Sequence, residues 1–394
     1  MKSPVQTLRA PGPAARTRPR KAGRFESTLM ELFEEADIRL GGSRPWDPHL
    51  LDAGVLDRVR ARGSLGLGEA WMDGQWKCER LDEFFHRLMR TNPYPRLRRL
   101  GIVELWSHIR SRLTNLQRRS RAFEIGRRHY DLGNDLFEAM LDRRMVYSGA
   151  YWENAANLDE AQEAKLELIC RKLDLEPGMR LLDIGCGWGS LLRFAAERHE
   201  ARGVGITVSR EQAELGQKRC EGLPVEIRLL DYRDLDPDHG FDRIASIGMI
   251  EHVGPRNYRA LFEVVRRCLR PGGRFLLQTI GRNEPATYID PWMNAYIFPN
   301  SVIPSASQVA AAAEGSLILE DWHSIGPHYD RTLMAWHDNF ERNWDRLETR
   351  YGERFRRMWN YYLLSCAGNF RARYAQLWQI LYSRDGISGG CHFR

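Results

Sequence analysis

The C-terminal two thirds of the chain alternate between short apolar runs and segments with apolar residues at helical spacing. The apolar runs predict strands at 180–184, 203–207, 225–230, 241–247 and 274–280. The helical spacing predicts helices at 158–173, 190–198, 210–220 and 258–269, the last ended by a Pro-Gly-Gly turn at 271–273. Strands that alternate with helices predict an α/β fold, with a doubly wound, mostly parallel sheet.

The N-terminal third has a different pattern, which divides the chain into four predicted parts. Residues 1–25 are rich in proline and arginine, cannot bury a core and are predicted to be a disordered basic tail. Residues 26–115 predict a small, mostly helical domain, with an amphipathic helix at 81–89. A linker at 116–127 leads into a larger domain at 128–394 that carries the sheet.

The positive charge of the chain is concentrated near the N-terminus. Of 394 residues 43% are hydrophobic and 28% are charged, which excludes a disordered, collagen-like or polytopic membrane protein. The net charge is +7, but residues 1–24 carry seven basic residues and no acid, and residues 90–128 carry eleven arginines and two glutamates. Such segments favour an anionic partner. Residues 96–116 are compatible with a basic membrane-surface helix or a solvated helix docked between domains.

The cysteines and the N-terminus bear on the compartment. The seven cysteines are scattered and form no CxxC pair, which indicates a reducing compartment without a disulfide framework or zinc site. The N-terminus lacks the apolar segment of a signal peptide. The longest uncharged run, 291–313, contains prolines, asparagines and serines and is a poor bilayer span. We therefore expect a cytoplasmic protein whose membrane contact is peripheral.

The strongest chemical signal is a glycine-rich turn after the first predicted strand. Asp183 ends the strand, and Gly185, Gly187 and Gly189 follow at alternate positions before a helix. Glycines let the backbone approach a ligand closely, and ligands bind at the carboxyl ends of parallel strands. The spacing is neither the GxGxxG dinucleotide fingerprint nor a P-loop. It resembles the S-adenosylmethionine site of class I methyltransferases, although a chance glycine-rich turn is the alternative.

Polar residues after the next two strands support the same site. Thr207 and Gln212 follow the second strand, where they can reach a ribose. Asp231 and Tyr232 follow the third strand, where an acid and an aromatic ring can flank an adenine. A surface turn explains an acid at this position equally well, but together and in order these residues favour a nucleoside cofactor.

Several longer motifs identify a family. The Asn/Asp-Pro-Pro-Tyr motif of nucleic-acid amino-methyltransferases is absent after the fourth strand, which reads Glu-His-Val-Gly at 251–254. The chain resembles the cyclopropane-fatty-acyl-phospholipid synthases, of the bacterial type with an N-terminal domain. The motifs that carry this resemblance, in order, are at 128–137, 147–152, 183–189, 248–258, 290–299, 320–323, 329–336 and 366–371.

The resemblance implies transfer of a methylene group from S-adenosylmethionine to the cis double bond of a phospholipid acyl chain. An alkene that attacks a methyl group leaves a carbocation, so the site needs aromatic faces and a base. The candidate aromatic residues are Tyr147, Tyr151, Trp152, Tyr329 and Trp336, with plain core packing favoured for Trp152 and Trp336. Alternatives are a methyl-branched or methylene product from the same cation, or a small-amine N-methyltransferase.

The resemblance also implies that a bound bicarbonate acts as the base. Its family ligands correspond to Glu251, the backbone of Ile280 and Tyr329 here, while Gly149 and Gln278 replace the family's cysteine and histidine. A glutamine can donate a hydrogen bond but cannot hold the proton, and Gly149 is expected to leave room for water. The resemblance also assigns Tyr147 and Ser148 to the cofactor site. The last candidate is Cys366, a cysteine in one of the family motifs. We interpret that cysteine as structural.

The resemblance redirects the basic N-terminal segments toward an anionic phospholipid surface. We expect residues 26–115 to be lipid-associated and the enzyme to act at the inner face of the membrane, as a homodimer. RNA binding is a weaker hypothesis, because aromatic interleaving and RNA motifs are missing and we expect no nucleic-acid partner.

Overall fold

The computed structural model describes residues 23–98, 133–236 and 240–391. The predicted linker, and most of the basic tail and of the arginine-rich segment, lie outside these residues. The first described helix starts at Arg24, so Arg24 and Phe25, predicted as the end of a disordered tail, are helical and Phe25 is buried. The N-terminal elements are α1 (Arg24–Glu35), β1 (His49–Leu50), α2 (Val55–Met72), β2 (Trp76–Lys77), α3 (Leu81–Arg90) and α4 (Tyr94–Arg98).

The remaining elements build the sheet and the helices that cover it. In chain order they are α5 (Asn134–Met140), α6 (Leu158–Leu173), β3 (Arg180–Ile184), α7 (Ser190–His199), β4 (Arg202–Thr207), α8 (Arg210–Arg219), β5 (Val225–Leu229), β6 (Phe241–Ile247), α9 (Ile250–Val253), α10 (Tyr258–Cys268), β7 (Leu269–Arg282), α11 (Pro291–Tyr296), α12 (Ala306–Ala313), β8 (Ile318–Ser324), α13 (Gly326–Arg342), α14 (Trp344–Arg371) and β9 (Ala375–Ser383).

Seven strands of the described residues form one mixed sheet in the order β5-β4-β3-β6-β7-β9-β8. The first five are parallel to their neighbours, and β9 runs antiparallel to both β7 and β8. This confirms the predicted α/β fold of the class I methyltransferase type. The order reverses at β3, and the carboxyl ends of β3 and β6 lie side by side, which is where ligands bind in open α/β sheets.

The structure differs from the predicted elements where α10 passes into β7. The predicted helix is present, but the turn predicted at 271–273 lies within β7, which begins at Leu269. Helix α10 ends one residue earlier, at Cys268, where its apolar face is buried against the sheet. The two antiparallel strands β8 and β9 were not among the predicted strands.

The N-terminal helices share one apolar core with α14. The Trp71 indole donates to the Arg357 carbonyl at 2.9 Å, and a β-carbon on Gly368 of α14 would lie 2.5 Å from the Asp82 carbonyl of α3. Arg371, at the end of α14, donates to Asp82 at 2.7 Å and to Asp330 at 2.9 Å. These contacts hold α2 and α3 against α14. Among the described residues, no helix is long and apolar enough to span a bilayer.

Candidate active site

The glycine-rich turn adopts a conformation that only glycine takes without strain. Gly185, Gly187 and Gly189 have φ values of 85°, 55° and 78°, all in the left-handed region. A β-carbon on Gly187 would meet no atom within 4 Å, whereas one on Gly189 would lie 2.6 Å from Ile227 Cδ1. The first two glycines therefore shape a ligand loop, and Gly189 lets α7 start close against β5.

A cavity of about 190 Å³, which we call the cofactor cavity, lies over this turn. Of the ten residues predicted to bind a cofactor, the nine that line it are Tyr147, Ser148, Asp183, Gly185, Gly187, Thr207, Gln212, Asp231 and Tyr232. Gly189 does not line the cavity, because its role is the close packing of α7. The structure thus brings together residues from the ends of β3, β4 and β5 and from a preceding loop.

Two opposite charges face each other in this cavity. Asp183 is buried, burial raises the pKa of its carboxyl to about 7, and Oδ1 has no hydrogen-bond partner among the described residues. Lys165 of α6, which the sequence did not single out, is also buried and donates to Ser148 Oγ at 3.1 Å. Burial lowers the pKa of its ammonium to about 8. A ligand with both an ammonium and a carboxylate matches this pair of charges.

The far end of the cavity carries groups suited to a nucleoside. The Thr207 hydroxyl donates to Gln212 Oε1 at 2.9 Å, which fixes the glutamine amide. Asp231 is held by Arg233, whose guanidinium donates to it at 2.7 Å. The buried Tyr232 hydroxyl has no partner within the described ranges. Together these groups offer an amide, an anchored acid and an aromatic face, as expected for a ribose and an adenine.

A second cavity of about 230 Å³, the reaction cavity, is lined by all six predicted catalytic residues and by three residues of the N-terminal part, Asn92, Tyr94 and Pro95. The six are Gly149, Glu251, Gln278, Ile280, Tyr329 and Cys366. Part of its wall is aromatic: the Tyr329 ring lies 4.6 Å from that of Phe370, and Trp336 packs behind Tyr329 at 5.8 Å. Burial raises the pKa of the Cys366 thiol to about 12, so it is no thiolate nucleophile.

Glu251, on α9, supplies the carboxylate of the reaction cavity. Its Oε1 accepts the Ile280 backbone N–H at 2.7 Å, and its buried Oε2 has no partner in the part of the chain that the structure describes. Burial raises the pKa of this carboxyl to about 7. A carboxyl with such a pKa and one open oxygen is suited to accept a proton near neutral pH.

Of the two positions that depart from the family pattern, Gly149 differs from expectation and Gln278 acts as a hydrogen-bond donor. Gly149 does not leave room for water: a β-carbon there would lie 2.5 Å from Leu377 Cδ2 and 2.9 Å from Tyr329 Cγ. Gln278 is buried, its Oε1 accepts from Gln379 at 3.0 Å, and its Nε2 donates to the Gly149 carbonyl at 3.4 Å. Gln379 thus orients the Gln278 amide nitrogen toward Gly149, and Gln278 and Gly149 both line the cavity.

The two cavities meet at four residues that line both: Tyr147, Ser148, Gly248 and His252. Gly248 has a φ of 65°, and a β-carbon there would meet nothing within 4 Å. Burial lowers the pKa of His252 to about 4, so its ring is neutral at pH 7. A methyl donor in one cavity can therefore reach an acceptor in the other across a neutral gap lined by aromatic and small residues.

Sequence reasoning found Cys366 on α14 but missed other site residues on α6, α14 and β9. Tyr362 hydrogen-bonds the Tyr147 hydroxyl at 2.9 Å, and Phe370 packs on Tyr329. Lys165 and Gln379 complete the set. The apolar residues around Lys165 predict an amphipathic helix, and only the tertiary packing shows that its ammonium is buried at the site.

The cofactor cavity fits S-adenosylmethionine by its own chemistry. The unpartnered buried Asp183 Oδ1 and the buried Lys165 ammonium match an amino-acid end, and the glycine turn would admit the ligand close to the backbone. The fold and this site define a class I S-adenosylmethionine-dependent methyltransferase. Residues 117–380 match the family described as mycolic acid cyclopropane synthetase, and the chain belongs to this family.

Individual relatives agree with this assignment. The chain is 50% identical over 368 residues to the cyclopropane-fatty-acyl-phospholipid synthase of Escherichia coli strain K12, covering 91% of this chain and 93% of that one. It is 32% identical over 388 residues to the tuberculostearic acid methyltransferase UfaA1 of Mycobacterium tuberculosis, covering 91% and 88%. The cyclopropane synthase MmaA2 of Mycobacterium tuberculosis superimposes with a TM-score of 0.62 at 30% identity, over 68% of this chain and all of that one.

Proposed function

We propose that this enzyme converts the cis double bond of an unsaturated phospholipid acyl chain into a cyclopropane ring. One observation carries the proposal: the open, buried Oε2 of Glu251 lies in an aromatic cavity that joins the cofactor cavity. The relative from Escherichia coli is named for this reaction. When bound, S-adenosylmethionine supplies an electrophilic methyl group on a sulfonium.

The wall of the reaction cavity is suited to the positive charge that develops on the acyl chain. When the double bond attacks the methyl group, one alkene carbon is left cationic. The rings of Tyr329, Phe370 and Tyr362 line this cavity. Aromatic faces stabilise a cation by about 0.5–2 kcal/mol each without reacting with it. Water would capture such a cation, and Leu377 and Tyr329 fill the space beside Gly149 that a water could occupy.

Glu251 completes the reaction. We infer that its Oε2 accepts the proton lost by the newly added methyl group, and the electrons of that C–H bond close the ring. The Ile280 N–H holds the other oxygen, so the open oxygen keeps a fixed orientation. A base of this kind contributes roughly 10²–10⁴-fold to the rate.

The residues that the resemblance assigns to bicarbonate fit such an anion in part. Glu251 Oε2 can accept from a bicarbonate hydroxyl, and the Gln278 amide nitrogen makes only a long contact that an anion could replace. We propose that these two groups would hold bicarbonate, which would supply a second basic oxygen. Binding is expected to be weaker than with the family's histidine and cysteine.

A second outcome of the same chemistry is a methyl-branched or methylene acyl chain. A methyl-branched chain with a shifted double bond forms if the cation loses a proton from a neighbouring chain carbon. A methylene chain forms if a hydride first moves from the methyl-bearing carbon to the cationic carbon and the methyl group then loses a proton. Gln278, which cannot hold a proton, is the observation that favours these outcomes. The tuberculostearic acid methyltransferase among the relatives bears a name of that kind. Glu251 Oε2 serves as proton acceptor in both outcomes, so the position of the acyl chain decides the product.

The phospholipid substrate lies in a membrane, and we propose that anionic phospholipids attract the enzyme to the membrane surface. The support is the excess of arginine over acid in residues 90–128. Co-sedimentation with vesicles of phosphatidylglycerol should exceed that with phosphatidylcholine and fall steeply with salt. Equal binding to both vesicles would contradict this part of the proposal. A homodimer at the inner face of the membrane stays a prediction.

Expression in a bacterial host that lacks cyclopropane lipids tests the function. Mass spectrometry of the host's phospholipids should show unsaturated acyl chains heavier by one methylene and resistant to double-bond cleavage. A host expressing Glu251→Gln, which keeps the shape of the side chain, is the matched control. Lipids that are unchanged, or that are methylated but still cleaved at a double bond, would contradict cyclopropane formation.

A further inference from the structure

A third cavity, which we call the N-terminal cavity, lies among the helices that precede residue 98. Its volume is about 190 Å³, and α1, α2, α3 and α4 all contribute to its wall. Half-buried apolar side chains line it, among them Leu29, Val59, Leu67, Leu88 and Leu97. Protein interiors are normally close-packed, so an apolar space of this size calls for an occupant.

The N-terminal cavity adjoins the reaction cavity. Four residues line both: Tyr94, Asp290, Met293 and Asn369. Within the described residues no lysine or arginine lines the N-terminal cavity. Two of its polar groups are engaged elsewhere, since Asp290 accepts the backbone N–H of Trp292 at 2.9 Å and Asn369 donates to the Ser365 carbonyl. The Ser64 hydroxyl also lines the cavity and has no partner among the described residues. Because the rest of the lining is mainly apolar and holds no cation, the space beyond the shared wall is suited to an apolar group.

The reaction cavity, unlike the N-terminal cavity, has exposed polar residues in its lining. These are Asn92 and Glu284, and together with the half-buried Arg282 we call them the polar rim. A phospholipid acyl chain has one polar end, at its ester, and one apolar end, at its methyl group. The polar rim favours the ester end, and the N-terminal cavity can accept only the methyl end without loss of hydrogen bonds.

We propose that the N-terminal cavity binds the methyl-terminal part of the substrate's acyl chain, beyond the double bond that reacts at Glu251. This inference rests on the proposed function. The bound acyl chain runs from the polar rim past Glu251. It then passes the wall that the two cavities share, beside Tyr94 and Met293, and ends between the N-terminal helices. The N-terminal cavity then limits how many carbons can follow the double bond, so the N-terminal helices contribute to substrate selection.

Two lipids that differ only beyond the double bond test this path. Oleoyl and palmitoleoyl chains are identical from the ester to the double bond, and the oleoyl chain has two more carbons after it. Purified enzyme is given mixed vesicles of phosphatidylglycerol carrying equal amounts of each, and the two cyclopropane products are measured by gas chromatography. Val59→Phe narrows the N-terminal cavity, and we expect it to lower the oleoyl-to-palmitoleoyl product ratio at least tenfold.

Two further variants keep the test decisive. Leu51→Phe adds an aromatic ring at an exposed position that lines neither cavity, and its ratio should equal that of the wild type. Leu88→Ala enlarges the N-terminal cavity and should raise the ratio, and it replaces Val59→Phe if that variant fails to fold. If the wild type converts both acyl chains and neither cavity variant changes the product ratio, the proposed path of the acyl chain through the N-terminal cavity is contradicted. If the wild type forms no cyclopropane from either chain, the proposed function itself fails.

Discussion

The Ile280 backbone N–H donates to Glu251 Oε1 at 2.7 Å, which leaves Oε2 as the open oxygen of a buried carboxylate. This relationship couples β7 to α9 at the carboxyl edge of the sheet, beside the junction of the two cavities. It gives the reaction cavity one basic atom with a fixed orientation, and the predictions about turnover depend on it.

Replacing Glu251 with glutamine should lower turnover roughly 10²–10⁴-fold, because the amide cannot accept the proton. Binding of S-adenosylhomocysteine, measured by isothermal titration calorimetry, should stay within a factor of three of the wild type. Glu263→Gln changes an exposed glutamate on α10 and should leave both quantities unchanged. A Glu251→Gln enzyme with near-normal turnover would remove this residue from the mechanism.

The rate should depend on the protonation of Glu251. Burial raises its pKa to about 7, so the carboxyl is mostly protonated below that pH and cannot act as a base. The value of kcat/KM should therefore rise about tenfold per pH unit up to about pH 7 and then level off. A profile that is flat between pH 5 and 7 would show that another group takes the proton.

Removing bicarbonate should affect this enzyme only moderately, because Gln278 and Gly149 replace two of the family's ligands. In buffer purged of carbon dioxide, we expect turnover to fall less than tenfold, well below the effect of Glu251→Gln. Gln278→His should lower the bicarbonate concentration needed for half-maximal rate. Complete loss of wild-type turnover without bicarbonate, restored on its addition, would show that Glu251 is not the base.

Gly149 should tolerate no side chain. A β-carbon would lie 2.5 Å from Leu377 Cδ2, so Gly149→Ala should lower the free energy of unfolding by about 1–3 kcal/mol. Leu377→Val in the same chain should recover part of this loss, as urea denaturation would show. Gly54→Ala, at an exposed helix start with φ −73°, is the control and should have a smaller effect. An unchanged stability in Gly149→Ala would mean that the cavity wall is softer than the contacts imply.

Asp183 should contribute to cofactor affinity through its charge. Asp183→Asn keeps the side chain's shape but removes the carboxylate, so the dissociation constant for S-adenosylhomocysteine should rise roughly 10–100-fold. Asp338→Asn, at an exposed position on α13, should leave it unchanged. Equal affinities in the two variants would place the amino-acid end of the cofactor elsewhere.

The local sequence was sufficient to predict an element where the segment carries its own hydrophobic pattern. Helix α6 and strand β3 begin and end at the predicted residues, because their apolar periodicity is long or bounded by turns. The glycine turn was recognisable because its conformation excludes other residues. Strands β8 and β9 were missed, since an antiparallel strand inserted at a sheet edge depends on contacts far along the chain.

The parts of the site that could not be predicted depend on tertiary contacts. Tyr329 and Leu377 fill the space beside Gly149, although they lie about 200 residues further along the chain. Gln379 reaches Gln278 only because β9 pairs with β7. The N-terminal cavity likewise forms only where the first helices pack against α14. Motifs therefore indicated which residues meet, but not what surrounds them.

The most direct test of the account follows the hydrogens of the transferred methyl group. Purified enzyme is given S-adenosylmethionine with a fully deuterated methyl group and vesicles of an unsaturated phosphatidylglycerol, and the product acyl chains are analysed by mass spectrometry. Ring closure through Glu251 predicts a cyclopropane that retains two deuterons and has lost the third. A product that retains all three deuterons in a methyl branch would contradict cyclopropane formation.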